Sequence, residues 1–207
     1  VVNAGKIVAM QKDEALYKSV NESDIINADG QAVVWAAKIL GKPLKGRVAG
    51  IDLMENLVEL AHQQNHKVSE IYQSTYNTGI IAGYRNGYFT KEDEPQIAQQ
   101  IASSGAHMLF VAITSPIKEN FLYNHRELLK DVPFVMGVGG SFDVVSGLTK
   151  RAPDWMQNAG LEWFYRFLQE PKRMWKRYLV GNSTFIWLVL KEKFQKHPPS
   201  PPQGGNH

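Results

Sequence analysis

One aspartate stands out among the residues whose type and position could support chemistry. Asp29 follows a short strand predicted over residues 23–27 and precedes a helix predicted over residues 31–40. That position is the carboxyl edge of a sheet, where ligands bind in open α/β folds. A carboxylate there can remove the proton of an acceptor hydroxyl group. Aspartate is also a preferred helix N-cap, and the residues alone favour the cap over the base.

An arginine and two glycines also lie near predicted strand ends. Arg47 begins a small strand or turn predicted over residues 47–51, and its planar guanidinium would match phosphate oxygens. Pairing with a surface acid is the plainer interpretation, and the residues alone favour it. Gly137 and Gly139 lie at the end of a second strand, where glycine amides can cradle a pyrophosphate. Their spacing differs from a dinucleotide fingerprint, so a tight turn with positive φ is the alternative.

A basic segment rich in aromatic residues follows Gly147. Interleaved with Trp and Tyr, its cations are Lys150, Arg151, Arg166, Lys172, Arg173, Lys176 and Arg177. Arg166, Arg173 and Arg177 are spaced by seven and four, which predicts a common face if one helix carries all three. Such a face suits a diphosphate or an anionic lipid surface, and the aromatic rings suit the headgroup zone. A solvated helix face is the alternative, and a net charge of +3 gives little support to nucleic-acid binding.

Composition excludes several kinds of site. The 207 residues contain no cysteine, which rules out disulfide frameworks, thiolate metal sites and cysteine nucleophiles. The histidines lack the H-E-x-x-H pattern and Ser141 lacks a G-x-S-x-G elbow, so neither a metal site nor a serine hydrolase is expected. No apolar run reaches the roughly 20 residues that a membrane-spanning helix needs.

The predicted elements alternate between short apolar strands and helices. Strands over residues 107–113 and 133–138 are continuous apolar runs, as in strands buried on both faces. Helices are predicted over residues 4–21, 31–40, 53–62, 68–76, 95–103 and 119–129. This alternation is typical of α/β proteins, and we expect a Rossmann-like parallel sheet with flanking helices.

The domain organisation follows from a change of composition near residue 150. We expect an α/β catalytic domain over residues 1–149 and a basic, aromatic helical appendage over residues 150–192. Residues 193–207 are rich in proline and glycine, which predicts a disordered tail. The chain starts at Val1 as if within a strand, so we also expect a fragment of a longer protein.

Several motifs occur in the order seen in one family of sugar transferases. The strongest lies over residues 139–178 and reads GGSFDVVSGLTKRAPDW, then GLEWFYR, EPKR and KRY. Upstream are NADG from Asn27, RVAGID from Arg47 and NGYF from Asn86. Over nearly everything from Val1 to about Leu190, the chain resembles the WecG/TagA/CpsF glycosyltransferases, family twenty-six of the sugar-transferase classification.

The resemblance implies a metal-independent, inverting transfer from a UDP-sugar to a lipid-diphosphate-linked sugar, with no cofactor. Known members add N-acetylmannosamine, or its uronic acid, to N-acetylglucosaminyl-diphospho-undecaprenol in teichoic acid and other envelope polysaccharides. The implied partners are the UDP-sugar, the lipid-linked acceptor and an anionic membrane surface. No nucleic acid is expected, and a homo-oligomer is one option for the assembly. The implied location is the inner face of a bacterial plasma membrane, where the C-terminal appendage docks and helps to close the active site.

The family's functional residues carry over by position. Asp29 matches the family's proposed catalytic base, so the resemblance favours the base over the helix cap. Arg47 matches a pocket arginine, which makes phosphate binding by Arg47 more favoured than it is from the residues alone. Arg166 and Arg173, with Arg177 or Lys176, match appendage arginines proposed to hold the diphosphate. The expected substrate-binding residues are therefore Asn3, Arg47, Lys118, Gly137, Gly139, Arg151, Arg166, Arg173 and Arg177.

Three positions depart from the family pattern. Val1 stands where the family has a threonine, and Lys118 stands where it has a pocket glutamine. The second change indicates a different donor sugar, with the uronic acid and glucose as options. The stretch around His66 is shorter than in the family, which carries a buried strand and a glycine-rich loop there. A non-catalytic nucleotide- or lipid-binding module of the same fold is therefore the alternative function.

Overall fold

A parallel sheet forms the centre of the protein. The computed structural model describes residues 1–63, 68–69, 81–145, 147 and 149–195. Three parallel strands pair in chain order, namely β1 at Val68–Ser69, β2 at Met108–Val111 and β3 at Phe134–Gly137. Both apolar runs of the sequence form strands, so the predicted mixed α/β architecture with a parallel sheet is confirmed.

The register of the sheet brings two strand ends together. Met108 pairs with Phe134 and Val111 with Gly137, so β2 and β3 end at the same edge. Residues 68–69 form a strand rather than the start of the helix predicted over residues 68–76, because they pair with β2. Tertiary pairing overrides local pattern in short segments. Residues 70–76 of that predicted helix lie outside the described residues.

Helices cover both faces of the sheet. On one face lies α4 at Gly50–Gln63, and on the other lie α5 at Glu94–Ser103, α6 at Ile117–Asn124 and α7 at Arg126–Leu129. The first cluster buries Met54 and Val58 against Phe110 and Met136. The second buries Ile97, Ala98, Leu109, Phe121, Leu129 and Val132. Each large apolar side chain contributes roughly 1.5–3 kcal/mol when buried, so these two clusters fix the sheet between its helices.

The predicted N-terminal helix over residues 4–21 is two helices, α1 at Ala4–Met10 and α2 at Glu14–Asn21. The Asn3 side chain accepts a hydrogen bond from the Lys6 backbone N–H at 2.9 Å and caps α1. Asp13 accepts one from the Leu16 backbone N–H at 2.9 Å and caps α2. A new cap starts a new helix, which explains the break. Val2 forms an isolated parallel bridge with Ala28, just before α3 at Gln31–Ile39.

The C-terminal segment consists of short helices and one long helix. These are α8 at Ser141–Val145, α9 at Asp154–Asn158, α10 at Glu162–Gln169 and α11 at Pro171–Phe194. The condition for a common face of Arg166, Arg173 and Arg177 is not met, because the helix that carries Arg166 ends before Pro171. Proline lacks a backbone N–H and disfavours helical geometry in the preceding residue, and it is well suited to the first turn. Glu170 accordingly has φ −131° and ψ 58°.

The second half of α11 packs on the α/β domain. Phe185 and Val189 are buried against Ala36 of α3, with Ile7 and Val8 of α1 packed beside them. Over the described residues, every helix is too short or too polar to cross a membrane. Most of the predicted tail, residues 196–207, lies outside the described residues.

Candidate active site

Asp29 lies where the chain turns from the bridge with Val2 into α3. Its backbone N–H donates to the Val2 carbonyl at 2.8 Å, and the Val48 N–H donates to the Ala28 carbonyl at 2.9 Å. Gly30 follows with φ +114°, a conformation that residues with a side chain rarely adopt. This turn directs the Asp29 side chain toward the segment that begins α4.

The Asp29 carboxylate does not cap α3. Gly30 is the N-cap residue of that helix, and no described side chain caps it. The carboxylate instead accepts a hydrogen bond from the Gly50 backbone N–H at the start of α4. Burial raises the pKa of the Asp29 carboxyl, and the charge of Glu162 raises it further, against opposing effects of Arg47 and the Gly50 bond. The raised pKa makes Asp29 a stronger base than an aspartate in water.

Arg47 forms an ion pair with Glu162. Arg47 Nη1 lies 2.7 Å from Glu162 Oε2, and the two side chains are 18% and 32% exposed. Glu162 is the first residue of α10, so this pair joins the C-terminal segment to the residues around Asp29. Arginine has five N–H donors in a planar fork, so one ion pair does not exhaust its capacity to bind an anion.

Arg166 reaches the end of β3 from the same helix. It lies four residues after Glu162, so the two side chains share one face of α10. A Cβ added at Gly140 would overlap the Arg166 guanidinium, so the close approach depends on a glycine at that position. Gly137 and Gly139 are the glycines predicted from the sequence, whereas the glycine that lies against the Arg166 guanidinium is Gly140.

Lys118 is a buried amine at the ends of β2 and β3. It is 6% exposed, and its Nζ donates to the Ile113 carbonyl at 3.2 Å. Its alkyl chain lies over Gly137, where an added Cβ would be 3.3 Å from Lys118 Cδ. Glu119 Oε1 lies 3.8 Å from Lys118 Nζ and 2.8 Å from Lys6 Nζ. Burial alone would raise the pKa of Glu119, but the two lysine charges bring it below its ordinary value.

The other predicted site residues are placed less centrally. Asn3 caps α1, as described above, and Gly139 follows β3 with no described atom within 4 Å of an added Cβ. Arg151 forms ion pairs with Asp52 and Glu55 on α4, the second at 3.8 Å. Asp52 lies in the first turn of α4, and its partner in the ion pair is Arg151. Arg173 and Arg177 lie on α11, and their side chains are outside what the structure describes.

A separate cavity of about 450 Å³ lies beside the end of β2. Its lining is mainly apolar and includes Ile97, Phe121 and Ile113, together with Arg85 and Asn86. The predicted site residues do not contribute to this lining. The predicted site residues therefore lie outside this apolar cavity.

The sheet edge combines one half-buried carboxylate with cations from two parts of the chain. Asp29 can accept a proton, while Arg47 and Arg166 can bind an anionic group. Among the described residues, no three His, Asp or Glu side chains are grouped as metal ligands. The arrangement is suited to group transfer from a donor with a diphosphate leaving group.

The fold is that of an α/β protein with a parallel sheet, and comparison with known proteins shows its class. The chain belongs to the WecG/TagA/CpsF family of glycosyltransferases, whose family model matches residues 1–199. A relative in Bacillus subtilis (strain 168) is 36% identical over 209 residues, which covers 94% of this chain and 79% of the relative. One in Bacillus spizizenii is 40% identical over 191 residues, covering 86% and 72%. Both carry the name N-acetylglucosaminyldiphosphoundecaprenol N-acetyl-beta-D-mannosaminyltransferase.

Sequence reasoning missed two residues of this edge. No role is predicted for Glu162 from the sequence, although its spacing of four from Arg166 indicates a shared helix face. Gly140 is the next residue after Gly139. A run of glycines after a strand does not show which of them lies against another side chain. The structure distinguishes Gly140 from Gly139, because Arg166 of α10 lies against Gly140 alone of the two.

Proposed function

We propose that this chain is an inverting glycosyltransferase that moves an N-acetylmannosamine-type sugar from UDP to an undecaprenyl-diphosphate-linked sugar. One observation carries the proposal. The Asp29 carboxyl, with its raised pKa, lies beside the start of α4, where the charges of the Arg47–Glu162 ion pair act on it. Membership of the family and the names of the two Bacillus relatives support the donor sugar and the acceptor.

The proposed reaction is a single displacement. The acceptor hydroxyl attacks the anomeric carbon from the face opposite UDP, and Asp29 takes the hydroxyl proton as the new C–O bond forms. The bond between the anomeric carbon and the diphosphate oxygen breaks, and its electron pair leaves with UDP. The anomeric configuration is therefore inverted.

Cations hold the departing diphosphate in this proposal. Arg47 and Arg166 stabilise its developing charge, and Arg173 and Arg177 add cations from α11. These groups make a metal ion unnecessary for the leaving group, so we propose metal-independent transfer. The remaining proposed substrate contacts are Asn3, Lys118, Gly137, Gly139 and Arg151.

The donor sugar depends on the pocket around Lys118. A buried ammonium there would attract a carboxylate on the sugar, whereas its pairing with Glu119 lowers that attraction. N-acetylmannosamine is therefore the first donor to test, followed by its uronic acid and by glucose.

The C-terminal segment is the proposed membrane-binding appendage of a Rossmann-like catalytic domain. We place the domain at residues 1–149 and the appendage at residues 150–192. Large apolar side chains are exposed along α10 and α11, among them Trp163, Trp175, Leu179, Ile186 and Trp187. Tryptophan beside lysine and arginine suits the headgroup zone of an anionic membrane. We therefore propose binding to the cytoplasmic leaflet of the plasma membrane, where the lipid-linked acceptor lies.

The activity is tested by release of UDP. The protein is incubated with each UDP-sugar and with a short-chain N-acetylglucosaminyl-diphospho-lipid, and UDP and the disaccharide-lipid product are quantified. We expect turnover with UDP-N-acetylmannosamine, inverted product and no loss of rate in EDTA. Retained UDP binding without turnover for any donor would favour a non-catalytic binding module.

Membrane binding is tested separately by sedimentation with vesicles. We expect the protein to bind vesicles that contain phosphatidylglycerol and to release at high salt, because exposed charges are screened. Trp187→Ser should weaken binding. Equal binding to neutral vesicles at all salt concentrations would contradict the proposed role of the cations.

A further inference from the structure

Glu162 is the residue of the sheet edge to which sequence reasoning gave no role. Its carboxylate lies 2.7 Å from Arg47 Nη1, and the side chain is one-third exposed. Its charge also acts on Asp29, where it is the largest contribution to the raised pKa after burial. One carboxylate of the appendage thus acts on both groups that the proposed reaction uses.

The turn before α10 fixes where Glu162 can lie. Gly160 has φ +72°, and a Cβ added there would lie 2.9 Å from Cβ and Cγ of Gln31, the first residue of α3. The start of α10 therefore packs on the start of α3, two residues after Asp29. Trp163, the next residue, packs on Tyr178 of α11 with ring centroids 5.5 Å apart.

We propose that Glu162 is a positioning residue of the transfer reaction, which holds the Arg47 guanidinium beside Asp29 when α10 lies on the sheet edge. This inference rests on the proposed function and extends it to the coupling between appendage and base. The appendage then supplies a carboxylate that orients a cation, in addition to cations for the diphosphate.

A second ion pair between the C-terminal segment and α4 offers a comparison. Arg151 and Asp52 also join the C-terminal segment to α4, through half-exposed side chains. The Arg47–Glu162 pair differs because its acid also acts on Asp29. The charged side chains that act on the Asp29 carboxyl are Glu162 of α10, which raises its pKa, and Arg47, which lowers it.

The sign of the expected effect follows from these charges. The anionic Glu162 disfavours the ionised form of Asp29 and raises its pKa. Removing that charge lowers the pKa, so Asp29 becomes ionised at a lower pH. The acid limb of the rate profile should therefore move to lower pH, while a weaker base gives a lower plateau.

The test compares three variants of the full chain. Glu162→Gln keeps a hydrogen-bond acceptor for Arg47 and removes the charge, and Glu162→Ala removes both. Asp52→Asn breaks the other ion pair and serves as the matched control. The readouts are kcat and donor KM against pH, and the titration of the Asp29 carboxyl by ¹³C NMR.

We expect Glu162→Gln to move the acid limb and the Asp29 titration to lower pH, with a fall in kcat of about tenfold. Glu162→Ala should lower kcat/KM for the donor by about tenfold or more, because Arg47 loses its orientation. Asp52→Asn should leave the acid limb in place.

Two results separate failure of this inference from failure of the proposed function. An Asp29 titration and an acid limb that are unchanged in Glu162→Gln would overturn the role of Glu162, whatever the activity. Absence of turnover in the unaltered protein with every donor would instead overturn the proposed function, and with it a positioning role in transfer.

Discussion

The two ends of the C-terminal segment are held to the rest of the protein by different interactions. At the sheet edge, α10 is held by the Arg47–Glu162 ion pair and by the Arg166 guanidinium over Gly140. In the second half of α11, the contacts are apolar, with Phe185 and Val189 buried against α1 and α3. One end is charged and partly exposed, and the other is apolar and buried.

This difference indicates which end of the C-terminal segment can bind an anionic ligand. A partly exposed ion pair contributes little to stability, about 0–1 kcal/mol, and the other N–H donors of Arg47 can still bind an anionic ligand. Burying a phenylalanine contributes roughly 1.5–3 kcal/mol and needs no charge. The apolar end therefore holds the appendage on the domain while the charged end stays open to a diphosphate.

The largest expected effect is loss of the apolar contact. Phe185→Ala should lower the free energy of unfolding by about 3 kcal/mol or more, because it removes a buried ring and leaves a cavity. Denaturant unfolding measures this change. Ile186→Ala, at an exposed neighbouring position, should cost under about 0.5 kcal/mol. Equal effects of the two variants would remove the contrast between the ends.

Loss of the cation at the charged end should affect activity rather than stability. Arg166→Ala should lower kcat by about 10²-fold, because a donor to the departing diphosphate is lost, while the unfolding midpoint stays near that of the unaltered protein. Steady-state UDP release measures the rate. Arg126→Ala, at an exposed arginine over Tyr123, is the control. A near-normal rate in Arg166→Ala would exclude the arginine from the site.

Gly140→Ala, which adds a methyl group beside the Arg166 guanidinium, should lower kcat less than Arg166→Ala does. In Gly140→Ala the new methyl group overlaps the guanidinium and must displace it, since arginine is the more flexible partner. We expect kcat to fall by about tenfold with little change in stability. Gly181→Ala, where no described atom lies within 4 Å of the added Cβ, should leave the rate unchanged. An unchanged rate in Gly140→Ala would show that the close approach is unimportant.

The smallest effect is expected at the second ion pair. Asp52→Asn should lower the free energy of unfolding by less than about 1 kcal/mol, because the side chains of Asp52 and Arg151 are 46% and 28% exposed. Thermal unfolding at low and high salt measures it. A loss above 2 kcal/mol would mean that charge, rather than apolar burial, holds the segment.

Much of the sheet could be predicted from the sequence, because continuous apolar runs mark β2 and β3 unambiguously. The helix after Asp29 was also predicted correctly, but the strand predicted over residues 23–27 does not form, and only Ala28 bridges to Val2. The role of the Asp29 carboxylate could not be predicted, because its partner Gly50 is distant in sequence and only the fold joins them.

The C-terminal segment was harder to predict for a physical reason. The spacing of Arg166, Arg173 and Arg177 indicates a shared face only if the helix is continuous, and Pro171 ends that continuity. The pairing of Glu162 with Arg47 spans more than a hundred residues. No local pattern contains such a contact, whereas the family resemblance correctly indicated a glycosyltransferase.

The base role of Asp29 is the central claim, and Asp29→Asn tests it most directly. Product formation and UDP binding are measured side by side for the unaltered protein and the variant, with UDP-N-acetylmannosamine and the lipid-diphosphate acceptor. We predict that turnover falls by about 10²-fold or more while UDP binding is largely kept, since the amide cannot accept the hydroxyl proton. Turnover near that of the unaltered protein would contradict the account.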